Sequence, residues 1–135
     1  MAIVQTTPRE AYAVLQGNPA AVYLDVRTEG EFQAGHPAGA RNVPVMVLDP
    51  ATRRPAPNPD FVAIVERTLS KGTTLLIGCQ VGGRSQRACE LLAAAGFTDL
   101  ANVQGGFGGG QDARGNVVAG WADSGLPVEK GQGTR

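Results

Sequence analysis

Histidine occurs once and cysteine twice in the 135 residues. A structural zinc site needs four Cys or His ligands, and this chain cannot assemble them. A surplus of one charge is missing too. Twelve basic residues balance twelve acidic ones, for a formal net charge of zero. Global attraction to nucleic acid or to an anionic membrane finds no support, so any anion must be held by a local arrangement. No apolar run approaches the ~20 residues that span a bilayer. The opening residues, Met1 to Glu10, carry neither a basic cluster nor an apolar stretch, so a signal peptide is not expected. A cytoplasmic location is expected instead, where thiols stay reduced. Cys79 and Cys89 then read as a reactive group or as packing rather than as a bridge.

Glycine and proline are abundant, at 19 and 9 residues. Their share stays below the roughly 25–30% of a low-complexity chain, and an apolar content of 42% suits a globular one. The length predicts one domain, here residues 1–129, with 130–135 expected to be a flexible tail.

Thr7-Pro8-Arg9-Glu10 is a capping box with proline at the first helical position, and it predicts a helix to about Leu15. Ala21 to Val26 suits a strand covered on both faces. A second capping box, Thr28 to Glu31, predicts a helical turn ending before Gly35. Ala40 to Val43 is a weaker strand. Residues 49–59 hold four prolines and read as a loop. A helix is expected from Asn58-Pro59, with Phe61, Val62, Val65 and Leu69 on one face. Thr73 to Ile77 is the clearest buried strand. The helix expected near Ser85 carries Ala88, Leu91, Leu92 and Ala95 at i, i+3, i+4, i+7, and Gly96 should end it with Phe97 folding back on Leu92. Thr98 to Val103 reads as the last strand. Strands alternating with helices predict an α/β fold, a parallel sheet with helices on both faces. The glycine-rich stretch Gly105 to Gly120 reads as a loop over one edge.

Ligands of open α/β sheets bind beyond the carboxyl ends of the strands. Cys79 stands there on the most apolar strand, followed by Gln80-Val81-Gly82-Gly83-Arg84-Ser85. Paired glycines let such a loop turn successive N–H groups inward as an anion nest. The positive end of the next helix adds to the same point. A thiol held among these dipoles is favoured as the nucleophilic thiolate.

At this point the chain resembles the single-domain rhodanese, or thiosulfate sulfurtransferase-like, family. The resemblance rests first on Asp25-Val26-Arg27, Glu31-Phe32 and the run Gly35-His36-Pro37 through Pro44. It continues in Cys79 to Ser85, in Gln104-Gly105-Gly106, and in Trp121 to Val128, and it covers roughly residues 3–129. It implies a rhodanese-like five-stranded parallel sheet flanked by helices on both faces. It also implies a sulfurtransferase that moves a sulfane sulfur from a donor such as thiosulfate to an acceptor such as cyanide or a thiol. Cys79 would carry the sulfur as a persulfide, and the amides of Gln80, Val81, Gly82, Gly83, Arg84 and Ser85 would cradle it. No cofactor and no metal is implied. The expected partners are a small-molecule donor and acceptor, or a sulfur-relay protein, with the chain a monomer or weak homodimer. A partner-docking module on the same scaffold is the alternative.

Related phosphatases of the cell-division-cycle type carry five residues between the loop cysteine and arginine. Here there are four, a cradle sized for sulfur rather than a phosphoryl group. Two features depart from the family: Pro37 replaces a common aliphatic residue, and Gly105 to Gly120 separates signatures that usually lie closer, where it could line the rim of the site. Arg84 either contacts the incoming anion or braces the loop. Arg87 reads as a solvated charge. Asp25 and Arg27 read as a buried ion pair supporting the site, and His36 as a turn-fixing hydrogen-bonder rather than half of a Cys–His dyad. Cys89 and Trp121 read as packing.

Overall fold

The computed structural model describes residues 3–81, 83–112 and 114–131. In chain order the elements begin with β1 (Val4–Thr6), α1 (Pro8–Gly17), β2 (Val22–Asp25), α2 (Glu29–Ala34), β3 (His36–Pro37) and β4 (Arg41–Asn42). There follow β5 (Met46–Leu48), β6 (Pro55–Pro57), α3 (Phe61–Thr68), β7 (Leu75–Gly78), α4 (Gly83–Ala94) and β8 (Leu100–Val103). The last are β9 (Gly110–Gln111), β10 (Val117–Val118) and β11 (Val128–Glu129).

Five strands form one parallel sheet in the order β1-β8-β7-β2-β4. Alternation along its strands divides the core in two. Leu24, Leu75 and Ile77 face Phe61 and Val65 of α3 and Ala88 and Leu92 of α4. Tyr23 and Leu76 face Ala11 of α1, Phe32 of α2 and Trp121. Helices therefore cover both faces, as the alternating pattern requires.

Both capping boxes are present: the Thr7 and Thr28 hydroxyls accept from the Glu10 and Glu31 amides, and each carboxylate reaches back to the cap N–H. Gly96 closes α4 at φ 101°, and the Phe97 amide donates to the Leu92 carbonyl (3.0 Å). Trp121 lies edge-on to Tyr12 and Tyr23, and its indole N–H donates to the Pro127 carbonyl (2.7 Å).

Several expectations need correction. The fifth sheet strand is β1, three residues too short to show a strand signal, held against β8 at the sheet edge. The proline-rich segment 49–59 is not all loop, because Pro55–Pro57 pairs antiparallel with Met46–Leu48; prolines are tolerated in a ribbon without further neighbours. Helix α3 starts at Phe61, because the Asn58 carboxamide accepts from the Asp60 amide and holds a turn there. Helix α4 starts two residues before Ser85. The stretch after Gly105 holds the hairpin β9–β10. At the far end, the Gly131 amide donates to the Gln33 carbonyl (2.9 Å); residues 132–135 of the expected tail lie outside the described residues.

Candidate active site

Chain order sends β2 into α2 on one face of the sheet and the adjacent β7 into α4 on the other. Their carboxyl ends thus flank a topological switch point, where crevices open in α/β sheets. Arg27 follows β2 and Cys79 follows β7, so the two strand ends deliver the motif residues to one place.

Cys79 is 1% exposed. Its Sγ lies 3.5 Å from the Ser85 hydroxyl oxygen, with the thiol as donor. Ser85, in the second residue pair of α4, donates its own O–H to Asn102 Oδ1 of β8 (2.5 Å). Asn102 Nδ2 donates to Gln5 Oε1 of β1 (2.9 Å), and Gln5 Nε2 donates to Gln86 Oε1 (2.8 Å). A hydrogen-bonded file thus runs from the sulfur, through buried Ser85 and Asn102, to the surface.

The glycine-rich segment does not lie over an edge; it seats the loop. The Phe107 amide donates to the Cys79 carbonyl (2.8 Å) and the Gly108 amide to the Gln80 carbonyl (2.9 Å). In planar trans peptides the N–H opposes the C=O, so the amides of Gln80 and Val81 face away from this segment. Gly106, at φ 51°, is required by close approach, since a Cβ there would collide with the Cys79 carbonyl. The Val81 side chain points to solvent, 58% exposed. Gly83 and Arg84 already belong to the first turn of α4, whose N–H groups have no intrahelical acceptor. Gly82 lies outside the described residues.

Arg27 binds Asp25 through Nε (3.0 and 3.1 Å) and Nη2 (2.7 Å). Its Nη2 also donates to the Gly35 carbonyl (2.7 Å) and its Nη1 to Gln80 Oε1 (3.2 Å), while the guanidinium lies 4.5 Å above the Phe107 ring centroid. All three nitrogens are engaged, and Nη1 is the one that reaches the Cys79 loop. Arg84 is paired as well: Nη1 and Nη2 donate to the two Glu31 oxygens at 2.8 and 3.1 Å, joining α4 to α2 across the crevice. These hydrogen bonds hold the Glu31 carboxyl down at about 2, from an ordinary 4.5, against partial burial; they raise the Arg84 pKa in turn. The brace, not the free anion contact, is the arrangement present. Arg87 is exposed, 3.5 Å from Glu90.

His36 Nδ1 donates to the Phe32 carbonyl (2.7 Å), its ring stacks on Phe32, and Nε2 lies 3.6 Å from Glu129. The ring thus fixes the join between α2, β3 and β11 rather than serving the sulfur. Cys89 is buried in the core, where desolvation pushes its thiol up to about 12. Neither cysteine is in a disulfide.

Asn102, Gln5 and Phe107 were missed as site residues. A signal for Asn102 exists, an amide inside an otherwise apolar strand. Nothing in the sequence announces the other two.

Fold and site define a class: an α/β domain that holds a thiol on a short loop between a central strand and a helix N-terminus. A family profile described as Rhodanese-like domain matches residues 7–113. The chain is 38% identical over 107 residues to Thiosulfate sulfurtransferase 16, chloroplastic, of Arabidopsis thaliana, covering 79% of this chain and 78% of that one. It is 40% identical over 108 residues to Protein HIGH ARSENIC CONTENT 1, mitochondrial, of the same plant, covering 80% and 56%. The crystal structure of Rv0390 from M. tuberculosis superposes with a TM-score of 0.79 at 31% identity, over 97% of this chain and all of that one. The chain belongs to the rhodanese-like domain family. Among the described residues, no helix is long and apolar enough to cross a membrane.

Proposed function

We propose that this protein is a sulfurtransferase that carries a sulfane sulfur on Cys79. The Cys79 thiolate attacks the outer sulfur of a donor such as thiosulfate. A new S–S bond forms, the donor's S–S bond breaks, and sulfite leaves with the bonding pair. An acceptor such as cyanide or a thiol then attacks the outer sulfur of the persulfide and returns Cys79 as thiolate. Covalent relay of this kind divides one transfer into two steps and produces ping-pong kinetics.

The observation that carries this reading is the loop. Cys79 directly follows the central strand and stands four positions before the start of α4, and two carbonyls of the loop are tied to the glycine-rich segment, so the Gln80 and Val81 amides are turned the other way. In this reading those amides, with the first turn of α4, hold the negative charge of thiolate and persulfide, fixed dipoles that need little reorganisation. Asp25, Arg27 and His36 support the site without touching the reacting atoms. The relative named Thiosulfate sulfurtransferase 16 adds weight to thiosulfate as donor. Small-molecule partners, or a sulfur-relay protein in a reducing compartment such as the cytoplasm, fit a thiol kept reduced.

The test is steady-state formation of thiocyanate from thiosulfate and cyanide with both substrates varied. Parallel double-reciprocal lines are expected, with turnover lost in Cys79→Ser. Intersecting lines, or turnover surviving in Cys79→Ser, would overturn the reading.

A further inference from the structure

We propose that Asn102 is a positioning residue for the Cys79 sulfur: its side-chain amide presents an acceptor to Ser85 while Cys79 is a thiol, and turns over to present a donor when the sulfur is negatively charged. This rests on the sulfur-carrier reading of Cys79.

Ser85 has a single hydroxyl hydrogen, and that hydrogen points at Asn102 Oδ1. Its lone pairs accept from the Cys79 thiol. The arrangement suits S–H and opposes S⁻, because an anionic sulfur has nothing to donate across this contact and meets a hydroxyl lone pair there. The Ser85 hydroxyl can become a donor to the sulfur only by redirecting its hydrogen, which withdraws it from Asn102 Oδ1. Two oxygens would then face each other inside the protein, Ser85 and Asn102 being 0% and 4% exposed. A carboxamide resolves the conflict, since a half-turn exchanges its carbonyl for its NH₂. Asn102 Nδ2 then donates to Ser85, and Asn102 Oδ1 accepts from Gln5.

The rest of the file can follow. Gln5 and Gln86 are also carboxamides, and they lie toward the surface, where the contact of Gln86 with Glu90 (3.4 Å) exchanges with water. Reversing all three amides preserves each link from Gln86 to the sulfur and reverses its direction. The proton lost by Cys79 passes to solvent. No atom of the file beyond the sulfur becomes charged, so the cost of the buried anion is met by dipoles that turn. Leucine or valine in place of Asn102 would leave the Ser85 hydroxyl without this partner, and a carboxylate would offer only acceptors. Of these side chains only the amide serves both states.

Other ionisable groups coupled to Cys79 are Arg84 and Cys89 on α4 and Tyr23 on β2. Asp25 and Arg27 act on Tyr23 at the same strand end. The substitutions below leave all five in place.

The experiment follows the ultraviolet absorbance of the Cys79 thiolate against pH, each protein being read against its matched Cys79→Ser form. Asn102→Asp holds the Ser85 hydrogen away from the sulfur, so the titration midpoint should rise by about one pH unit. In a Ser85→Ala background the same substitution should move it by less than about a third of that. Gln5→Glu, at an exposed position, fixes Asn102 in its resting orientation and should shift the midpoint upward in the Ser85 protein only; it decides the matter if Asn102→Asp does not fold. Equal displacement in both backgrounds would mean that added charge acts through space, and no displacement would mean that the amide does not turn; either overturns the proposal. The titration uses no sulfur donor. A chain that shows the Ser85-dependent shift but takes up no sulfur would therefore contradict the sulfurtransfer reading and leave the Asn102 switch standing.

Discussion

Two arginines reach the same crevice, and neither is held out to solvent as a bare cation. Arg27 is buried against Asp25, with its remaining donors on Gly35 and Gln80. Removing one partner leaves a buried charge uncompensated, so Arg27→Ala should lower stability by about 3–5 kcal/mol in urea unfolding. Arg84 differs, because its pair with Glu31 is about one-third exposed on either side, and such pairs contribute at most about 1 kcal/mol. The Glu31 carboxyl is depressed from 4.5 to about 2 in the folded protein. Its contribution is therefore present above 4.5 and is lost as pH falls toward 2. Urea midpoints followed from neutral pH down to about 2 should drop more for the parent than for Glu31→Gln across that window; identical slopes would show that the pair is not formed. The identity of Cys79 was legible because an apolar strand ends in cysteine and a glycine pair. The role of Arg84 was not, since its partner lies 53 positions away and only the fold brings the two together.

At the scale of elements, whatever depends on neighbours in sequence could be read directly. Thr7 and Thr28 announce helix starts because their capping partners stand three residues on. Gly96 announces a helix end for the same reason. Strand β1 escaped because three residues carry no period, and its place is set by pairing with β8. The glycine-rich segment escaped because its glycines answer to the loop they press on rather than to any local turn. That explanation makes a contrast testable. In Gly106→Ala the new methyl group meets the Cys79 carbonyl at a left-handed φ, and about 1–3 kcal/mol of stability should be lost together with sulfur uptake. In Gly108→Ala it meets only the end of the Gln80 side chain, which can swing aside, so stability should change by less than about 1 kcal/mol. Equal effects in thermal unfolding would refute the seating role of the segment.

For the molecule as a whole, the α/β class was legible from alternation alone, but the strand order was not. A crossover pattern does not say that β2 lies between β4 and β7, and that adjacency places Arg27 beside the loop of Cys79. The family resemblance supplied what periodicity could not, since its motifs come from segments that meet only in the folded sheet. The balanced charge also bears on the proposed chemistry: with no global field to draw in an anion, the proposed cradle must rely on backbone N–H groups at one helix start.

The central claim, that Cys79 carries sulfur, is tested most directly by mass. The reduced protein is incubated with thiosulfate at neutral pH, desalted, and weighed intact and as peptides. The account predicts a gain of one sulfur atom on the peptide containing Cys79, none on that containing Cys89, whose thiol is pushed up to about 12, and its removal by cyanide. A folded protein whose mass does not change, or whose added sulfur sits elsewhere, would contradict it.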